Sequence, residues 1–129
     1  MPIQVFWDNA EKTIVRREMS GKWTWDEFFE SQQAVNSMLE GLPQTVDQIF
    51  DVRQAAALPQ GALTQLRSAT NQRAYNSGLR VVVGPNRFYE VMFTMLAKIM
   101  PHLKESVVMV ETLDDAYQLI QESRNKVEN

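Results

Sequence analysis

Leu79-Arg80-Val81-Val82-Val83-Gly84-Pro85-Asn86-Arg87-Phe88 is the stretch on which the fold turns. Val81-Val82-Val83 is a β-branched run without polar alternation, which suits a strand covered on both faces, as in a parallel sheet. Gly84-Pro85-Asn86 then turns the chain into a helix, Arg87 to Met100, which Pro101 ends.

The same strand-then-helix unit recurs on both sides. Upstream, Val46 to Val52 reads as a buried strand and Gln54 to Gln60 as a loop; Gly61 to Tyr75 follows as a helix stopped by Asn76-Ser77-Gly78. Downstream, Val107 to Val110 is a strand, and Thr112-Leu113-Asp114-Asp115 resembles a capping box opening a helix through Ala116, Leu119 and Ile120. The clearest helix start is Thr24-Trp25-Asp26-Glu27: the Thr24 hydroxyl accepts from the Glu27 amide while the Glu27 carboxylate reaches back. Trp23 before this cap folds over Phe28, and Phe28, Val35, Leu39 and Leu42 continue one apolar stripe to Gly41 and Pro43. At the start, Ile3 to Trp7 and Thr13 to Met19 read as two strands joined by the turn Asp8 to Lys12, an antiparallel hairpin.

The order is therefore ββαβαβαβα. It predicts an α/β fold: a single-layer, mostly parallel five-stranded sheet with an antiparallel edge strand and four helices, joined by right-handed crossovers. The 129 residues contain no repeat or linker, so one domain over 1–129 is expected.

Composition narrows the function. There is no cysteine, which removes disulfides, thiolate metal sites and cysteine nucleophiles together. A net charge of −3 argues against a nucleic-acid binder that relies on neutralising phosphates. Met1-Pro2-Ile3-Gln4-Val5-Phe6 has no basic segment followed by a long apolar one, and no apolar run approaches the ~20 residues that span a bilayer. A cytoplasmic location without a transmembrane segment is the expectation.

In open α/β sheets, ligands gather beyond the carboxyl ends of the parallel strands. Here those loops are Arg53 to Gln60, Gly84 to Arg87 and Glu111 to Asp114. Asp51 and Arg53 share a strand face and read either as a polar ligand site or as a local ion pair. Asn86 and Arg87 sit where free amides of a helix start could hold an anion; the plainer reading is a turn with Asn capping. The helix after them carries Phe88, Tyr89, Val91, Met92, Phe93, Met95, Leu96, Ala97, Ile99 and Met100, so it is apolar nearly all round. Either it is the most central helix or part of it is an exposed patch that meets a partner or ligand. Phe88, Met92, Phe93 and Met95 are then the candidate lining of an apolar pocket.

Catalytic readings lack parts. His102 is the sole histidine, so no tetrahedral nitrogen or sulfur metal site can be assembled, and there is no Gly-x-Ser-x-Gly elbow. Paired carboxylates remain through Asp51 with Glu111 or Asp114, though acids at 114 and 115 suit a helix first turn. No metal, cofactor or catalytic activity is expected.

Five segments carry a family resemblance: Trp23 to Phe28, Val46 to Arg53, Leu58-Pro59-Gln60-Gly61, Val81 to Phe88, and Val110 to Ala116. On these the chain resembles STAS-type domains, specifically their SpoIIAA-like group, over roughly 100 residues. The resemblance implies a small α/β layer fold, similar also to lipid-carrying CRAL-TRIO domains. In STAS-type antagonists a serine at the start of the second helix is phosphorylated to switch partner binding. Here the corresponding loop, Gln54-Ala55-Ala56-Ala57-Leu58-Pro59-Gln60, has no hydroxyl, and Thr64 lies a turn into the helix, so the phosphoswitch is expected to be missing. The functional expectation is a non-catalytic regulatory or scaffold module that binds a protein partner or itself. The alternative is a carrier of a small apolar, lipid-like molecule.

Overall fold

Among the described residues, 2–72 and 74–128 of a computed structural model, strands and helices follow one another as β1 (Ile3–Trp7), β2 (Ile14–Gly21), α1 (Trp25–Leu39), β3 (Val46–Ala55), α2 (Ala62–Thr70), β4 (Ser77–Val83), α3 (Arg87–Ile99), α4 (Leu103–Ser106), β5 (Val107–Val110) and α5 (Leu113–Glu128). The strands form one sheet in the order β1-β2-β3-β4-β5. β1 pairs antiparallel with β2, and every other neighbour pair is parallel. The chain thus has the expected α/β fold, with one helix more than anticipated.

That extra helix, α4, is a single turn after Pro101. Leu103 within it is fully buried against Leu96 and Met100, which holds in place a segment that reads as a polar loop. Several boundaries also shift by one or two residues, and two shift further. β3 runs on to Ala55 because Gln54 and Ala55 pair with Ser20 and Gly21 of β2. α2 stops at Thr70, short of Tyr75; Arg73, inside the expected helix, lies outside the described residues.

The hairpin turn is organised by Asn9, whose Oδ1 accepts from the backbone N–H of Thr13 (3.0 Å) and Ile14 (3.3 Å). The α1 capping box forms in both directions: Glu27 N–H donates to Thr24 Oγ1 at 3.1 Å, and Thr24 N–H to Glu27 Oε1 at 2.9 Å. Trp23 closes over Phe28 with ring centroids 5.6 Å apart, as the staple requires.

The strand order never reverses, and this decides where the helices go. Successive right-handed crossovers advancing in one direction deliver their helices to one face of the sheet. Side-chain contacts place α1, α2, α3 and α4 there, against Val15, Met19, Val46, Val52 and Val107. Only α5, which makes no crossover, is free to cover the opposite face, where Ala116 and Ile120 pack on Ile14, Ile49, Val81 and Val83. The doubly covered Val81 and Val83 are completely buried, as their β-branched run predicts.

Two glycines permit close approaches. A Cβ at Gly78 would clash with Asp47 Oδ1, the atom that accepts from Leu79 N–H. Gly84 has φ +71°, and a Cβ there would clash with the Arg53 side chain.

Candidate functional site

Between the sheet and the α1–α2–α3 layer lies a partly open cavity of about 120 Å³. This is comparable to the ~150 Å³ apolar cavity that accepts benzene in an engineered protein core. Strand alternation sets its floor: Gln48, Phe50 and Val52 of β3, Arg80 and Val82 of β4, and Val107 and Met109 of β5 share one face. Its roof comes from Phe28 and Gln32 of α1, Leu66 and Ala69 of α2, and Tyr89, Phe93 and Leu96 of α3.

Sheet register sorts this floor by polarity. Gln48 stands opposite Arg80, and Arg80 opposite Val107. One step along the same face, Phe50 stands opposite Val82, and Val82 opposite Met109. One end of the cavity is therefore amide and guanidinium, and the rest is aromatic and aliphatic.

Arg17 stands behind the polar end at 1% exposure. Its guanidinium carbon sits 4.5 Å from the Phe50 ring centre and 5.4 Å from that of Phe28. Its N–H groups donate to three neutral oxygens: Ser31 Oγ (3.1 Å), Gln32 Oε1 (2.8 Å) and Gln48 Oε1 (2.9 Å). Among the described residues no carboxylate forms an ion pair with it. Burial, and then the nearby Arg80 guanidinium, pull its pKa down from 12.5 to about 9. Arg80 is also buried, and donates from Nη2 to Ser106 Oγ at 3.1 Å. Holding the Arg17 guanidinium on this buried face among neutral acceptors is electrostatically costly, because a buried cation ordinarily has an anion beside it.

The opposite end is latched by aromatic hydrogen bonds. Trp23 Nε1 donates to Tyr89 Oη at 3.1 Å, and Tyr89 Oη donates to the Ala56 carbonyl at 3.2 Å. Trp25 Nε1 donates to the Gln60 carbonyl at 2.8 Å. The alanine-rich loop after β3 is thereby tied to α1 and α3, and its Leu58 lines the cavity. Burial raises the Tyr89 hydroxyl pKa, which the bond from Trp23 partly offsets.

The residues singled out from sequence are dispersed. Asp51 and Arg53 lie on the α5 face, joined in a two-pronged ion pair: Arg53 Nε to Asp51 Oδ1 at 2.9 Å and Nη2 to Oδ2 at 2.8 Å. The Arg53 hydrogen bond holds the Asp51 carboxyl below its ordinary pKa of 3.8, leaving it a poor proton acceptor. Asn86 is the N-cap of α3, accepting from Tyr89 N–H at 3.1 Å, and Arg87 beside it is exposed. Glu111 and Asp114 are exposed, and Thr112 Oγ1 caps α5 by accepting from Asp115 N–H at 3.1 Å.

α3 resolves into two stripes. Tyr89, Leu96 and Ala97 are buried, and Phe93 lines the cavity. Phe88 (54% exposed), Val91 (49%), Met95 (45%) and Ile99 (46%) form an outward ridge. Of the four expected pocket residues, then, only Phe93 lines the cavity; Phe88 and Met95 are exposed and Met92 is half-buried. Helical period is the reason: at ~100° per residue, Phe88 and Met95 fall nearly in line, well round the helix from Phe93.

Sequence reasoning overlooked Arg17, Gln32, Gln48 and Arg80, although the signal was present. Period-two alternation puts Arg17 with Val15 and Met19, and Gln48 with Val46, Phe50 and Val52. A polar residue at an inward position of a covered strand marks either a built polar network or a site.

Among the described residues, no cluster of three or more His, Asp or Glu side chains could hold a metal ion. Nor is any helix there long and apolar enough to cross a membrane. No protein-family model matches the chain, and no curated protein sequence matches it.

Proposed function

We propose that this chain is a non-catalytic binding module that takes a small, largely apolar molecule between its sheet and the α1–α2–α3 layer. One observation carries the reading: a partly open cavity of about 120 Å³ whose walls are mostly aromatic and aliphatic. A well-packed core of this size closes such a space with side chains, so keeping it open costs packing energy. A ligand that fills it restores those contacts. The proposal includes the STAS-type resemblance and a cytoplasmic setting. It favours the carrier reading over the partner-binding one because the lining is concave and built from several elements.

The partner-binding reading keeps one supporting observation, the outward ridge of Phe88, Val91, Met95 and Ile99. Apolar side chains in a row on one helix commonly meet another protein or a second copy.

Native mass spectrometry of protein purified without detergent tests the proposal. The expected result is a retained organic adduct that denaturation releases, and that Leu66→Trp, which fills the cavity, prevents. A ligand-free mass, with no adduct formed on adding hexan-1-ol, overturns it. A dimer mass that Met95→Glu dissolves would favour the ridge reading instead.

A further inference from the structure

We infer that the ligand is a short amphipathic carboxylate, its anionic group at the Gln48–Arg80 end of the cavity and its hydrocarbon part against Phe50, Val82 and Phe93. This deepens the binding proposal and rests on it. Three observations converge. The polar row of the cavity floor, Gln48 beside Arg80, is confined to one end, while Phe50, Val82 and Met109 make the next row apolar. Behind that polar end Arg17 is fully buried, and every oxygen it donates to is neutral, so its charge is met by neutral dipoles and the Phe28 and Phe50 rings. Among the described residues lining the cavity, none is Asp or Glu, so nothing there would repel an anion.

The chemistry follows from these positions. Arg80 lines the cavity and can meet a carboxylate directly, whereas Arg17 acts from behind Gln32 and Gln48 through its field. In a poorly solvated site both charges act with less screening than in water. A neutral apolar pocket discriminates the other way: it prefers an alcohol to the matching carboxylate, because stripping water from an anion is far costlier. Preference for the carboxylate is therefore diagnostic of the guanidinium end. An ammonium head group should be rejected outright, since it would join two cations.

The test is calorimetric titration of the full chain with hexanoate, hexan-1-ol and hexylammonium. Hexanoate should bind at least ~10-fold more tightly than hexan-1-ol, the ratio that one charge-assisted hydrogen bond supplies. Hexylammonium should bind most weakly. Arg80→Met should bring hexanoate and hexan-1-ol within ~3-fold of each other, and Leu66→Trp should abolish both. Hexan-1-ol binding as tightly as hexanoate overturns this inference and leaves the apolar binding site standing. Absence of binding by all three overturns both. The ranking of the three probes on the unaltered protein decides the matter even if Arg80→Met does not fold.

Discussion

Replacing Tyr89 by Phe removes one oxygen and keeps the ring, which isolates the latch that ties α3 to the loop after β3. Tyr89 is buried, and its hydroxyl both accepts from Trp23 Nε1 and donates to the Ala56 carbonyl. Trp23 is 3% exposed, so its indole N–H would be left without an acceptor, at a cost of about 1–3 kcal/mol. The Ala56 carbonyl belongs to a half-buried residue that water can reach, so losing its donor costs about 0.5–1 kcal/mol. The sum is ~1.5–4 kcal/mol, which at this chain length lowers Tm by roughly 5–16 °C. Urea unfolding followed by far-UV circular dichroism measures it, with Trp23→Phe and the double variant completing a cycle. Trp23→Phe also loses ring volume, yet the pairwise coupling should remain about 1 kcal/mol. A Tyr89→Phe change within ~0.5 kcal/mol, or a coupling near zero, would refute the latch.

Asn76→Ala should destabilise by about 2 kcal/mol in urea titration, because buried Asn76 Nδ2 donates to the Leu39 carbonyl at 3.0 Å, with the Leu42 carbonyl also in reach at 3.3 Å; a loss under ~0.5 kcal/mol contradicts that role. Thr24→Ala removes half of the α1 capping box and should lower stability by ~1 kcal/mol, with Thr24→Ser restoring it. Asp51→Asn should cost ~1 kcal/mol near neutral pH. Because Arg53 depresses the folded-state pKa of Asp51, its stabilisation is present above the unfolded value of 3.8 and disappears as pH falls through the folded one. The gap between the unfolding curves of wild type and Asp51→Asn should accordingly close under acid; a constant gap would show that the ion pair is not its source.

The order of elements was legible because each signal was local: the Thr24–Glu27 box, the Val81–Val83 run and the Pro101 stop act within a few residues. What escaped was decided by distant partners. α4 exists because Leu103 joins a cluster against which Leu63 and Leu66 of α2 pack, and β3 is longer because β2 continues alongside it. The cavity escaped for a different reason. Crevices beyond the carboxyl ends of strands open at a reversal of strand order, and this sheet has no reversal among its parallel strands. Its space lies beneath the helices instead. Arg17, Gln48 and Arg80 were each visible as polar residues in strands, yet they come together only through the β2–β3–β4 register, which no single segment encodes.

The most direct test is to locate a bound probe by NMR, through nuclear Overhauser contacts between hexanoate protons and assigned methyl groups. Contacts to Leu66, Val82 and Leu96, all lining the cavity, are the predicted result. Contacts confined to Val91 and Ile99 on the outer ridge of α3 would place binding outside the cavity and contradict the account.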